Sequence, residues 1–187
     1  MMCATHHIDP YAALDPLEFL GLERMPTDLR GDEALDRLAS DLSEAAIRWD
    51  RLGPYLHFDP ASYCRTLLHR SPGWELVLVG WLPRQRSPVH DHGPSTGIVR
   101  LVLGELVETQ LRRQEGGLER IRTSRFHAGE VMIERPGIIH QVESDSSEPA
   151  ATLHLYAPPL LRMNRYHEPW PAGSSREDAT RPWTSRS

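Results

Sequence analysis

The spacing of hydrophobic positions changes once along the chain, and that change divides it. Between Asp32 and Trp49 the apolar residues Leu35, Leu38, Leu42, Ala46 and Trp49 recur at every third or fourth position, with Asp36, Arg37, Asp41 and Glu44 between them. Such a stripe predicts one amphipathic helix, which Gly53-Pro54 is expected to end. Ahead of it, residues 1–28 carry no sustained period and read as a loose lead-in with one short helix. From Tyr63 onward the segments are short and rich in Val, Ile, Leu and Thr. They predict strands at 63–69, 74–82, 97–103, 105–112, 118–125, 130–134, 138–143 and 151–157. Turn signals separate them at Ser71-Pro72-Gly73, Gly93-Pro94, Gly116-Gly117 and Pro136-Gly137. Many strands with no helices between them imply a mainly β chain, an antiparallel sandwich or barrel. The expected division is a helical extension over 1–55 packed on the barrel, a barrel domain over 56–171, and a flexible tail over 172–187.

Composition narrows the partners. With 187 residues the chain can bury a real core. A net charge of −5 without a basic face argues against nucleic acid. The longest apolar run, Leu76 to Leu82, is far too short to cross a bilayer and is broken by Gly80. The N-terminus has neither the basic start nor the apolar core of a secretion signal. Cys3 and Cys64 form no pair at metal or redox spacing, which suits a reducing cytoplasm. The expectation is a cytoplasmic monomer that meets small molecules only.

Histidine is the unusual residue, with ten in the chain. His90 and His92 are two apart in an extended stretch after Pro88, so both side chains leave one face and can converge on a point. Taken alone an HxH pair is weak evidence for metal. The glycines around it add to it: Gly97 and Gly104 follow His92 in the pattern HxHx4Gx6G, while Gly129 and Gly137 precede His140. His6, His7, His57, His69, His127 and His167 have no partner at ligand spacing and read as surface or structural residues. Asp91 is expected to face away from the pair and to make structural hydrogen bonds.

These two half-motifs resemble those of the cupin jelly-roll barrel, which implies a metal held by His90, His92 and His140. Two departures stand out: Gly97 takes the place of the motif's usual glutamate, and the proline of the second half-motif is displaced to Pro136. A triad of neutral imidazoles leaves a divalent ion its full charge and open positions, a setting for a thiolate and dioxygen. Structural zinc would demand a fourth ligand, and none is evident.

Four blocks carry a narrower resemblance: PVHDHGPSTG at 88–97, VLGELVET at 102–109, GIIHQVES at 137–144 and TLHLYAPP at 152–159. With SYCRTLL at 62–68 and Trp81, they are similar to the thiol dioxygenase branch of the cupins, most of all the bacterial cysteine dioxygenases, over about residues 33–167. The resemblance implies Fe(II) as cofactor, a small thiol and dioxygen as reactants, and L-cysteine oxidised to its sulfinate. It also implies Arg65 and Tyr63 holding the substrate carboxylate, Tyr156 aimed at the substrate with His154 orienting it, and Thr152 and Trp81 in support.

From the residues alone two of these roles stay open. Arg65 could pair with a structural acid, and Thr152, His154 and Tyr156 could be an ordinary exposed polar row, since they share one strand face opposite Leu153 and Leu155. Arg65 favours cysteine over 3-mercaptopropionate, although Arg162 and Arg165 further along could serve the same purpose. In animal members the position of Gly97 is a cysteine crosslinked to the tyrosine matching Tyr156. Glycine has no sulfur, so no crosslink is expected here. The rival readings are a 3-mercaptopropionate dioxygenase, a ligand-binding cupin without activity, and an isomerase using zinc or manganese.

Overall fold

The computed structural model describes residues 15–25 and 32–166. His6, His7, Cys3, His167 and the tail at 172–187 lie outside the described residues. Two helices, α1 (Pro16–Leu20) and α2 (Asp32–Glu44), are followed by a one-turn helix, α3 (Trp49–Leu52), and a 3-10 turn over Gly53–Tyr55. Ten strands follow: β1 (Cys64–Arg70), β2 (Glu75–Trp81), β3 (Val89–Asp91), β4 (Thr96–Leu103), β5 (Glu105–Gln114), β6 (Gly117–His127), β7 (Val131–Glu134), β8 (Ile139–Glu143), β9 (Ala150–Ala157) and β10 (Asn164–Tyr166). All eight expected strands are present within a residue or two of their predicted ends. β10, with no strand pattern of its own, was not foreseen.

The strands form two five-stranded sheets, β1-β2-β9-β4-β7 and β10-β3-β8-β5-β6. Every pairing is antiparallel. The first sheet is covered on both faces, which explains why β2 and β9 are buried at every position. On one face Leu68, Leu76, Leu78, Ile98, Leu153 and Leu155 pack under the helices, against Leu20, Leu38, Leu42 and Leu52. On the other face Val77, Val79, Val99, Leu101 and Tyr156 meet Leu106, Phe126 and Val142 of the second sheet inside the barrel. The period-two pleat therefore sorts one strand between two cores.

The long helix expected from the apolar stripe is shorter than predicted. It stops at Glu44, residues 45–48 leave the helix, and Ala46 and Trp49 are exposed while Ala45 is buried. The cause lies 55 residues away. Arg100, on the helix-facing side of β4, donates from Nη1 to the Leu42 and Ala45 carbonyls, at 3.1 and 2.6 Å. Those are carbonyls that a helix end leaves without partners. The Ala46 N–H turns instead to the Leu20 carbonyl of α1. Among the described residues no helix is long and apolar enough to cross a membrane.

Gly104 closes the tight β4–β5 link with φ +76°, and a Cβ there would lie 2.6 Å from the Pro149 carbonyl oxygen. The second glycine of the HxHx4Gx6G pattern thus has a steric reason to be glycine.

Candidate metal centre

Pro88 holds its neighbourhood extended and leads into β3, which carries His90; His92 follows one residue past the strand end. The β3–β8 register sets His90 directly opposite His140, so imidazoles 50 positions apart share one inward face. The three rings meet inside the barrel. His92 Nε2 lies 3.2 Å from His90 Nε2 and 3.3 Å from His140 Nε2, and all three residues are 5% exposed or less.

The outer nitrogens determine what the inner ones offer. His90 Nδ1 faces the Pro88 carbonyl at 2.8 Å, which can only accept, so this nitrogen carries the proton. His140 Nδ1 faces Glu108 Oε1 at 3.0 Å, and His92 Nδ1 faces Glu134 Oε2 at 3.4 Å. With protons on the Nδ1 side, all three Nε2 atoms direct lone pairs at one point. Burial and the neighbouring imidazoles hold His90 down to about 3 and His92 far below its ordinary range, so both stay neutral. Crowded lone pairs at this spacing suit nitrogens bound to one cation at about 2.0–2.1 Å. The residues present fit a metal ion, and they leave open positions on its pocket side.

The two acids behind the triad were not singled out from sequence. Glu108 on β5 and Glu134 on β7 are both buried, and Glu134 also faces His140 Nδ1, at 3.3 Å. Burial pulls His140 down, but Glu134 and Glu108 outweigh it and raise its pKa, while burial pushes the Glu134 carboxyl up to about 7. His90 and His92 are thus neutral donors, while His140 stands against two buried acids.

The opposite wall comes from the first sheet. Tyr63 and Arg65 point inward at its β1 edge, and Tyr63 stacks on Trp81 of β2, with ring centres 4.5 Å apart. Arg65 has its guanidinium 5.5 Å from the centre of the Tyr156 ring and makes no ion pair among the described residues. The nearby buried acid, Glu75, is engaged by Arg70 at 2.8 Å and by the Leu160 N–H at 3.2 Å. The pairing with a structural acid that sequence left open is therefore not what the structure contains. Arg65 faces the pocket together with His90, His92, His140, Tyr156 and Met163.

Thr152, His154 and Tyr156 are not an exposed row: all three are buried, at 0%, 6% and 2% exposure. Trp81 Nε1 donates to Thr152 Oγ1 at 3.0 Å, Thr152 lies 2.7 Å from His154 Nε2, and His154 Nδ1 lies 2.9 Å from the Tyr156 hydroxyl. An indole N–H only donates, so the threonine oxygen accepts from Trp81; in the proton order that frees the phenol, the threonine's own proton goes to His154 Nε2. His154 then donates from Nδ1 to the tyrosine oxygen, leaving the phenol proton for the pocket. Burial and then Arg65 keep His154 well below its usual range, and burial raises the Tyr156 phenol, so both remain neutral.

β10 closes the site's edge and is held by Asp91, which does face away from the triad. Its carboxylate accepts from the Gly93 N–H at 2.7 Å, Asn164 Nδ2 at 2.8 Å and the Tyr166 hydroxyl. Arg162 and Arg165 are exposed, but Arg165 stands opposite His90 in the β3–β10 ladder. Of the histidines read as structural, His69 packs on Trp74 and His127 lies beside Glu105. Ser87, Val142 and Met163 also line the pocket and carried no signal in the sequence.

Two antiparallel sheets enclosing a histidine pocket define a cupin. A solved double-stranded β-helix protein from Klebsiella pneumoniae supports that fold, at a TM-score of 0.50 and 17% identity, over 63% of this chain and 95% of that one. The family model of cysteine dioxygenase type I matches residues 31–169, and the chain belongs to that family. Cysteine dioxygenase type 1 of Danio rerio is 30% identical over 121 residues, covering 61% of this chain and 60% of the relative. That of Rattus norvegicus is 33% identical over 113 residues, covering 57% and 56%. The chain thus aligns with somewhat over half the length of these relatives.

Proposed function

We propose that the protein is an iron-dependent thiol dioxygenase that converts L-cysteine and dioxygen to cysteine sulfinate. The observation that carries this reading is the meeting of three imidazole lone pairs with an inward-facing guanidinium, which lies against the Tyr156 phenol and makes no ion pair among the described residues, in one buried pocket. Membership of the cysteine dioxygenase type I family supports it. Iron(II), held by His90, His92 and His140, would supply a site for the thiolate and the electron chemistry that dioxygen needs. The balance needs no other reagent: both oxygen atoms pass to sulfur, and the thiol becomes a sulfinic acid.

The chain's own residues do the rest. Arg65 presents a planar fork that matches a carboxylate through two charge-assisted hydrogen bonds. Tyr63, fixed against Trp81, stands at the same edge to add a hydroxyl. Tyr156 directs its proton toward the sulfur end of the pocket, and the Thr152–His154 pair keeps it pointing there. Holding both ends of a small zwitterion lowers the entropic barrier to reaction.

Oxygen uptake by iron-loaded protein against a panel of small thiols tests the proposal. Cysteine is expected to give the highest kcat/KM, with one dioxygen consumed per sulfinate formed. Uptake with no thiol in the panel would sink the dioxygenase reading. A second reading, 3-mercaptopropionate as substrate, is favoured by one observation: Arg165 stands opposite His90 in the β3–β10 ladder, within electrostatic reach of Tyr63. A higher kcat/KM for 3-mercaptopropionate than for cysteine would select it.

Tyr156→Phe separates the hydrogen-bonded row from the metal. Iron content should stay at the wild-type level while kcat falls on the order of 10- to 100-fold. An unchanged kcat would remove Tyr156 from the reaction.

A further inference from the structure

Gly97 and Glu134 face each other across the β4–β7 ladder. A Cβ on Gly97 would come within 2.7 Å of Glu134 Oε2 and 3.1 Å of His92 Nδ1. The carboxylate therefore fills the space that any side chain at position 97 would need. It is 1% exposed, and neither of its oxygens makes a hydrogen bond. Burying a carboxylate without hydrogen bonds is costly, and nothing about packing β7 on β4 requires an acid there. What its oxygens do face is the outer nitrogens of two of the three imidazoles: Oε2 lies 3.4 Å from His92 Nδ1 and Oε1 lies 3.3 Å from His140 Nδ1. His140 has a second acid in Glu108, but among the described residues His92 Nδ1 faces no other acceptor.

Resting on the reading of the triad as a metal site, we propose that Glu134 is a positioning residue of that site, admitted by the missing side chain at Gly97. Its two oxygens face the Nδ1 atoms of His92 and His140 at ion-pair distance. This favours the tautomers of both rings that keep the Nε2 lone pairs inward. A carboxylate behind an imidazole makes the ring a stronger donor. Gly97 and Glu134 are thus one device: the absent side chain on β4 leaves room for a carboxylate from β7 behind the imidazoles.

The test titrates apo protein with cobalt(II), followed by its visible absorption, and measures the iron midpoint potential. Wild type binding no equivalent of cobalt would overturn the metal reading itself, separately from the role of Glu134. With wild type binding one equivalent, Glu134→Gln should raise Kd roughly tenfold or more, shift the potential upward, and leave apo thermal stability unchanged or higher. Wild-type Kd and potential in this variant would overturn the proposal. So would a fall in apo stability at unchanged affinity, which would mark a purely structural residue. Should Glu134→Gln not fold, a double-mutant cycle decides. Gly97→Ala should weaken cobalt binding more in wild type, where the new Cβ meets both the carboxylate and the His92 ring, than in Glu134→Ala, where only the His92 ring lies close, at 3.1 Å. Equal costs in both backgrounds would overturn the pairing.

Discussion

Replacing His140 by alanine is expected to abolish metal retention. His140 sits alone on β8, whereas His90 and His92 come from one short stretch. Without it, two imidazoles remain on one side of the site and nothing opposes them. The same change strands Glu108 and Glu134, whose oxygens lie 3.0 and 3.3 Å from the lost Nδ1. Losing a ligand should exceed the roughly 10- to 100-fold cost of disturbing a residue behind one. At free iron about ten times the wild-type Kd, a loss of about 100-fold lowers occupancy from about 0.9 to about 0.1. Metal analysis of dialysed protein measures this directly, alongside thermal unfolding to show that the variant is folded. Wild-type iron content in folded His140→Ala would remove this residue from the ligand set, and the candidate centre with it.

Arg65→Ala should have the opposite profile, with iron unchanged and cysteine bound poorly. The guanidinium contacts the Tyr156 ring and has no acid of its own, so its removal leaves no buried carboxylate unpaired. What disappears is a pair of charge-assisted hydrogen bonds to the substrate, each worth about 1.5–3 kcal/mol. Losing the equivalent of one of them is a rise in KM of roughly 10- to 150-fold. Cysteamine, which has cysteine's thiol and amine but no carboxylate, supplies the control: its kinetics should be nearly the same in wild type and variant. If Arg65→Ala kept the wild-type KM for cysteine while Arg165→Ala lost it, the carboxylate would belong to the pocket mouth.

The parts of this molecule that were legible in sequence are those in which local spacing and three-dimensional place coincide. An i, i+2 pair on a strand shares a face by geometry, so His90 and His92 could be paired before any fold was known. The glycines at 97 and 104 stand where backbone or a neighbouring side chain comes too close for a Cβ, which is why their spacing carried information. The apolar run Leu76–Val79 of β2 fits a strand buried on both faces, whereas β9 carries its polar row, Thr152, His154 and Tyr156, on the face turned into the barrel. Other features depended on distant partners. No local pattern announces that Arg100 will terminate α2, so the stripe was followed past Glu44 to Ala46 and Trp49. Glu108 and Glu134 sit in VET and MIE, which look like any alternating strand with a solvent-facing acid. One signal was available for Glu134: it shares parity with buried Met132, so the face that turns Met132 inward turns the acid inward too. β10 is three residues long and is held by the two hydrogen bonds that Asn164 and Tyr166 give Asp91, beside its ladder to β3.

The row from Trp81 to Tyr156 has one further property. A threonine, an imidazole and a phenol in line can order their protons in either direction, and without a fixed end the two orders are close in energy, like coupled spins in no field. Trp81 biases the row at one end, because its N–H only donates and takes one lone pair of the threonine oxygen, while the Arg65 guanidinium lies against the tyrosine at the other. Phenylalanine there would keep a ring against Tyr63 but remove the N–H, and would favour the proton order in which the phenol proton turns back toward His154 and is lost to the pocket. The barrel thus stores one bit of orientation in an indole on β2, written at a residue two hydrogen bonds removed from the tyrosine's own partner.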